Sequence, residues 1–192
     1  MEGIVYHRGR RLDLRPISLA DAETFVRWFN DPDVSQYLGR EMPITLEEEK
    51  SWIEKRAGDQ YNHILVMVHR ELRRAIGTVG LHGISGSNRK AVFGIQIGEK
   101  EFWNQGLGLE ATELMLEIAF DRFNLNRVEL DVYETNPRAI RVYDRTGFRA
   151  EGVARQGRWI RGRYVDVRHM AVLAEEWRVR KSLAAASEVC QT

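Results

Sequence analysis

The chain has 192 residues, a length that suits one domain with a real core. Apolar residues make up 43% and charged residues 30%, so it is globular rather than disordered, and 29 basic against 28 acidic residues give no reason to expect bulk nucleic-acid binding. A single cysteine, Cys190, excludes a disulfide framework; with no apolar leader in "MEGIVYHRGRR" and no apolar run of membrane length, a cytoplasmic protein in a reducing compartment is expected.

In chain order, "RRLDLRPI" alternates Leu12 and Leu14 and predicts a first strand. Ser18 with Asp21 opens a helix carrying Ala22, Phe25, Val26 and Phe29 at helical spacing, ended by Asn30 to Pro32. Thr45 with Glu48 predicts a second capped helix bearing Trp52 and Ile53. "HILVMVH", "AIGTVGLHGI" and "AVFGIQIG" are strands, the last two separated by a "GSNRK" loop. "FWNQGLGLEATELML" then starts a helix with Ala111, Leu114, Met115, Ile118 and Ala119 on one face. "RVELDVY" is a strand. "NPRAIRVYDRTGF" is a short helix, capped by Asn136, begun by Pro137 and stopped by Gly147. "GRWIRGRYVDVRHMAVL" predicts a closing hairpin turning near Arg161 and Gly162. One domain is expected over residues 1–175, followed by a weakly helical tail over 176–192.

Gly106 and Gly108, at the mouth of a helix, need a reason, because a cap alone is served by Ser, Asp or Asn without the backbone entropy a glycine costs. A nucleoside-triphosphate loop is ruled out by the lack of Gly-Lys-Ser/Thr. Gly106-x-Gly108-x-x-Ala111 fits a dinucleotide fingerprint, with Glu129 and Asp131 about where a ribose carboxylate belongs. There, however, the strand runs straight into the first glycine, whereas "GEKEFWNQ" intervenes here. The remaining reading is a pyrophosphate cradle. Backbone N–H groups from Gln105 to Leu109 point at one anion, the helix adds its positive end, and the glycines let the backbone come close. A valine at Gly108 would crowd that path and would suit poorly any positive φ there.

"FWNQGLGLEATELML", "NLNRVELDVYETNPRAIRVYDRTGF" and "AEGVARQGRWIRGRYVDVRHMAVLAEEW", in this order, resemble the GNAT superfamily of acyl-CoA-dependent N-acetyltransferases over roughly residues 10–177. The family's glycine motif often begins with Gln or Arg where this chain has Trp103, and the aromatic-Trp pair resembles the branch of ribosomal-protein N-terminal and spermidine acetyltransferases. The resemblance implies an α/β (α+β) fold: a mixed, mostly antiparallel sheet splayed at a central parallel pair, with helices on both faces. It implies acetyl-CoA as co-substrate and no metal. The cofactor-binding residues it implies are Ile95, Gln96 and Ile97 on the strand, Asn104, Gln105, Gly106, Leu107, Gly108 and Leu109 in the loop, and Asn136 and Tyr143 beyond. Its fallbacks are a non-catalytic acyl-CoA sensor and a dinucleotide-binding oxidoreductase.

Direct attack of an amine on the thioester is expected, since Cys190 has no His or Asn nearby in sequence and no Gly-x-Ser-x-Gly elbow exists. A protonated amine needs a base. Asp131 is the first candidate and Glu129, on the same strand face by period two, the second. The five histidines, His169 included, are taken as structural or surface. The resemblance makes Tyr143 the proton donor to the departing thiolate. For the acceptor, Glu47, Glu48, Glu49 and Glu54 suit a cationic amine, while Arg155, Arg158, Arg161, Arg163 and Arg168 suit an acidic acceptor or the CoA 3′-phosphate. The expected partners are a small-molecule or peptide amine, with a homodimer as an option, and neither nucleic acid nor membrane.

Overall fold

A strand buried on both faces reads as a continuous apolar run, and "HILVMVH" is one. The computed structural model describes residues 4–39 and 42–189 and places this run as β3 (His63–His69), with Leu65 and Met67 in one core and Val66 in another. Around it lie β1 (His7–Arg8), β2 (Leu12–Pro16), β4 (Arg74–Ser85), β5 (Lys90–Ile97), β6 (Arg127–Tyr133), β7 (Arg149–Ile160) and β8 (Arg163–Leu173). Among the described residues these form one eight-stranded sheet in the order β1-β2-β3-β4-β5-β6-β8-β7. Every pairing is antiparallel except β5 with β6.

That parallel pairing is short. It runs from Lys90↔Arg127 to Val92↔Glu129 and stops there, while β5 stays paired with β4 as far as Ile97↔Gly77. Beyond Val92 the two central strands diverge, so the sheet is split at its middle, as expected.

Helices cover both faces. On one, α4 (Leu107–Glu117) and α5 (Pro137–Thr146) bury Ala111, Leu114, Met115 and Tyr143 against Phe93, Val128, Leu130 and Val132. On the other, α1 (Ala22–Phe29) and α3 (Leu46–Glu54) bury Phe25, Trp28 and Ile53 against Val66. Both expected capping boxes form, Ser18 with Asp21 and Thr45 with Glu48. Pro32 does more than end α1. Asp31 caps the Asp33 N–H at 2.9 Å, and Pro32 becomes the first residue of a short helix, α2 (Pro32–Ser35). The expected weakly helical tail is α6 (Ala174–Val189), and its Trp177 is buried against Phe120 with ring centroids 5.4 Å apart, so the packed unit reaches at least that residue. Cys190 lies outside the described residues. No described helix is long and apolar enough to cross a membrane.

A buried carboxylate closes the end of β5. Glu99 accepts from Arg27 Nη2 (2.5 Å), Trp28 Nε1 (2.8 Å) and Arg74 Nη2 (2.6 Å). Gly98 precedes it because Trp28 leaves no room: a Cβ there would lie 2.1 Å from the indole. Burial alone would raise the Glu99 pKa, but the donors and the two guanidinium charges outweigh it and hold the carboxyl below its ordinary value. Its contribution to stability is therefore present above the unfolded pKa and is lost as pH falls through the folded one. Both arginines are about half exposed, at 59% and 47%, which discounts the buried-pair figure. Glu99→Gln is expected to cost about 1–3 kcal/mol at pH 7. Thermal melts from pH 7 to pH 3 should show the gap to the unsubstituted protein closing on the acid side; a gap that stays constant removes the ion pairs as its cause.

Candidate active site

The glycine loop follows β5 after a 3-10 turn at Lys100–Phe102. No strand runs directly into Gly106, which removes the dinucleotide-fold reading. Asn104 (φ 61°) and Gly106 (φ 78°) are both left-handed, and Gly106 is the residue before α4. No side chain caps that helix end, so its first N–H groups are left for another acceptor. The positive φ belongs to Gly106 and not to Gly108, contrary to the strain expected at Gly108. A Cβ at Gly108 would meet nothing nearer than Ile97 Cδ1 at 3.7 Å, an ordinary contact. The fold leaves that space open, so nothing in the packing of the described residues requires a glycine there.

The loop is held from behind by residues outside its own motif. Arg11 Nη2 donates to the Gln105 carbonyl at 2.7 Å. Glu110, in the first turn of α4, accepts from the backbone N–H of Arg11 (2.6 Å) and of Leu12 (3.0 Å), tying the helix start to β2. Trp103 donates its indole N–H to the Ile97 carbonyl at 2.8 Å, and Arg138 stacks over its ring at 4.3 Å. Arg11 and Glu110 are far apart in sequence, so no local pattern could have linked them.

The loop opens into the split in the sheet, a cleft of about 340 Å³. Ile95, Gln96, Ile97, Asn104, Gly106, Leu107, Gly108, Leu109, Asp131, Asn136 and Tyr143 all line it, so nearly every expected residue converges there. Gln105 does not line it; its carbonyl serves Arg11 and its amide the Glu101 carbonyl. From Phe93 to Ile97, β5 has a partner strand on one side only, which leaves an edge for an extended ligand to pair with. Asn136 caps α5 by accepting from the Ala139 N–H at 3.1 Å and also borders the cleft.

Tyr143 is buried between Phe93 and Phe148, with centroids 6.1 and 5.7 Å away, and also borders the cleft. Among the described residues nothing hydrogen-bonds its hydroxyl. Burial pushes the phenol well above its ordinary pKa, so at neutral pH it is a donor and not a base.

Residues 11–149 match the family described as Acetyltransferase (GNAT) domain. The chain belongs to the GNAT acetyltransferase family. It is 28% identical over 171 residues to the uncharacterized N-acetyltransferase p20 of Bacillus licheniformis, covering 87% of this chain and 95% of that one. Spermidine N-acetyltransferase from Vibrio cholerae, solved with CoA and spermine, superimposes with a TM-score of 0.82 at 27% identity over 87% of this chain and 98% of that one. A dodecameric structure of the same Vibrio enzyme in an intermediate state gives 0.76 at 26% identity, covering 87% and 96%. As a GNAT enzyme the chain uses acetyl-CoA as co-substrate, and the uncapped loop, the open face of Gly108 and the one-sided β5 suit its phosphates and extended arm.

In this GNAT cleft the two candidate bases separate. Asp131 lines it, and its Oδ1 lies 2.5 Å from Nδ1 of His169 on the neighbouring strand; His169 itself is half exposed and does not line the cleft, a surface position as expected. Glu129 does not line it. It sits at the last paired position of β5 and β6 and accepts from Lys90 (2.9 Å) and Arg127 (2.9 Å), which hold its carboxyl below the ordinary value. None of Glu47, Glu48, Glu49 and Glu54 lines the cleft, and of the hairpin arginines Arg158 alone does. Among the described residues no group of three or more His, Cys, Asp or Glu is gathered to hold a metal ion.

Proposed function

We propose that the chain transfers the acetyl group of acetyl-CoA directly to a primary amine, without an acyl-enzyme. The observation that carries this reading is the meeting of the uncapped glycine loop, the one-sided strand and an unpartnered tyrosine hydroxyl at one cleft. Acetyl-CoA supplies the activated acetyl carbonyl. N–H groups of Leu107, Gly108 and Leu109 bind its pyrophosphate, with Arg138, stacked over Trp103 at the same cleft, as a countercharge. The free edge of β5 from Ile95 to Ile97 holds the pantetheine arm, and a backbone N–H there polarises the carbonyl.

The Asp131–His169 pair takes the proton from the incoming ammonium. With Nδ1–H given to Asp131, His169 presents Nε2 as an acceptor. The amine nitrogen then bonds to the carbonyl carbon and the C–S bond breaks. The Tyr143 hydroxyl hydrogen-bonds the departing sulfur and gives it a proton, and the second proton, shed by the nitrogen as the tetrahedral intermediate collapses to the amide, returns through water to the phenolate. The apolar wall that raises the phenol pKa also destabilises a thiolate, so the sulfur's proton affinity rises with that of its donor.

Two further parts of the reading rest on relatives. The amine is that of a polyamine, a peptide N-terminus or another small molecule, and more than one copy assembles, as in the Vibrio enzyme. Acetyl-CoA at about 100 times its Kd should stabilise the fold by about 2.7 kcal/mol. Thermal melts with acetyl-CoA and with NAD side by side, followed by thiol release with a panel of amines, test it. A shift with NAD alone, or binding of acetyl-CoA without transfer to any amine, would sink it.

A further inference from the structure

The acceptor side of the cleft has its own chemistry. Alternation along each strand and the pairing registers put Gln96, Asp131, Tyr133, Val165, Val167, His169 and Arg158 on one face of the sheet. Arg158 reaches the cleft through a bulge. Between the pairs Ala154↔Val167 and Arg158↔Val165, β7 advances farther than β8, and the extra chain is pinned by the Gln156 N–H to Asp166 Oδ1 at 2.7 Å. The guanidinium and the Tyr133 hydroxyl converge: both lie within 4 Å of the point a Gly39 Cβ would occupy.

Hydrogen-bond accounting then gives the sign of the missing ligand. Among the described residues Arg158 has no carboxylate partner, and the Tyr133 hydroxyl has no acceptor. Gln96 Nε2, buried on the same face, has none either. Of the two carboxylates that line the cleft among the described residues, Asp33 is paired with Lys100 at 3.3 Å, and Asp131, hydrogen-bonded to His169, keeps its charge for the amine. Arg158 is exposed and its fork is open to solvent, so the buried donor that is costly without an acceptor is Gln96 Nε2, and a guanidinium fork beside it fits a carboxylate. A polyamine would bring only more donors and positive charge.

We infer that the acceptor is an amine that also carries a carboxylate, bound by Arg158 with Tyr133 and Gln96 while its amine faces Asp131. This rests on the acetyl-transfer reading above and narrows its acceptor. The carboxylate can belong to a free amino acid or to an acidic peptide, and the test separates the two.

The full chain is assayed for thiol release from acetyl-CoA with free glutamate and its diamide, with a C-terminally amidated tripeptide beginning in glutamate and its glutamine counterpart, and with spermidine. The acid of at least one pair should be preferred over its amide and over spermidine, and the preferred pair identifies the source. Arg158→Gln should raise KM for that acid by roughly 10–100-fold, the worth of a charge-assisted contact, with kcat largely kept. Arg158→Glu should go further and turn the preference towards spermidine. The thermal shift with acetyl-CoA, read on each variant, confirms that the fold and the co-substrate site are intact. Preference for spermidine by the unsubstituted chain, or acid-to-amide ratios unmoved by either substitution, overturns the inference and leaves acetyl transfer standing. Thiol release with none of these amines overturns the inference too, and the accompanying melt then shows whether acetyl-CoA binding fails with it.

Discussion

Replacing Tyr143 by phenylalanine should lower the acetyl-transfer rate by roughly 10²–10⁴, the usual range for a positioned proton donor. The ring stays, so its contacts with Phe93 and Phe148 survive. Only a hydroxyl without a partner among the described residues is lost, so stability should hold or rise slightly. That is the reverse of what a hydroxyl bonded within the core would give. Affinity for acetyl-CoA should change little, since one hydrogen bond nets only about 0.5–1.5 kcal/mol. Single-turnover kinetics are the appropriate measurement, because slow product release can hide a chemical defect in steady state. A single-turnover rate within about threefold of the unsubstituted enzyme would leave Tyr143 as packing, with solvent or backbone N–H groups protonating the sulfur. A loss of stability larger than about 2 kcal/mol would also count against the role, because a free hydroxyl cannot supply it.

The parts of this site that local chemistry specifies were legible in the sequence. Asn136, Pro137 and Gly147 bound α5 as cap, first residue and left-handed stop, because each does its work within a few residues of its own position. The glycine loop was legible for the same reason. What could not be read depends on where strands part. Glu129 and Asp131 share a strand face and a charge, and only the end of the β5–β6 pairing separates them: Glu129 faces the last paired position, Val92, and Asp131 lies beyond it. The Asp131–His169 contact could not be read either, because it joins two strands across a register no local pattern reports. Arg158 was one arginine among five on the hairpin. A bulge directs it inward, while Arg168 pairs with Glu134 and Arg161 reaches the Pro32 carbonyl. Trp177 gave one aromatic cue in a polar, Ala-rich stretch, too little to mark a core position.

Gly108→Val should separate the needs of the ligand from those of the fold. Gly108 has an ordinary helical backbone, and a Cβ there would touch Ile97 Cδ1 at 3.7 Å and nothing closer. Valine is no worse a helix former than glycine, so the substitution should leave stability within about 0.5 kcal/mol of its starting value. Gly108→Ala should be neutral or stabilising by up to about 1 kcal/mol. Gly106 behaves differently. At φ 78° a side chain is strained, and Gly106→Ala should cost about 1–2 kcal/mol of folding stability before any ligand is considered. Binding runs the other way. The first N–H groups of α4 have no capping side chain, and the methyls of valine at position 108 would stand between them and a phosphate. Losing one or two charge-assisted hydrogen bonds of about 1.5–3 kcal/mol each weakens acetyl-CoA binding by roughly 10- to 10,000-fold. Calorimetric titration with acetyl-CoA and denaturant unfolding of the same three variants provide the two axes. Gly108→Val should fall on the binding axis alone, and Gly106→Ala should move along the stability axis first. If Gly108→Val loses stability in step with affinity, the second glycine serves the packing of α4 against β5, and the open face beside Ile97 has no ligand to explain it.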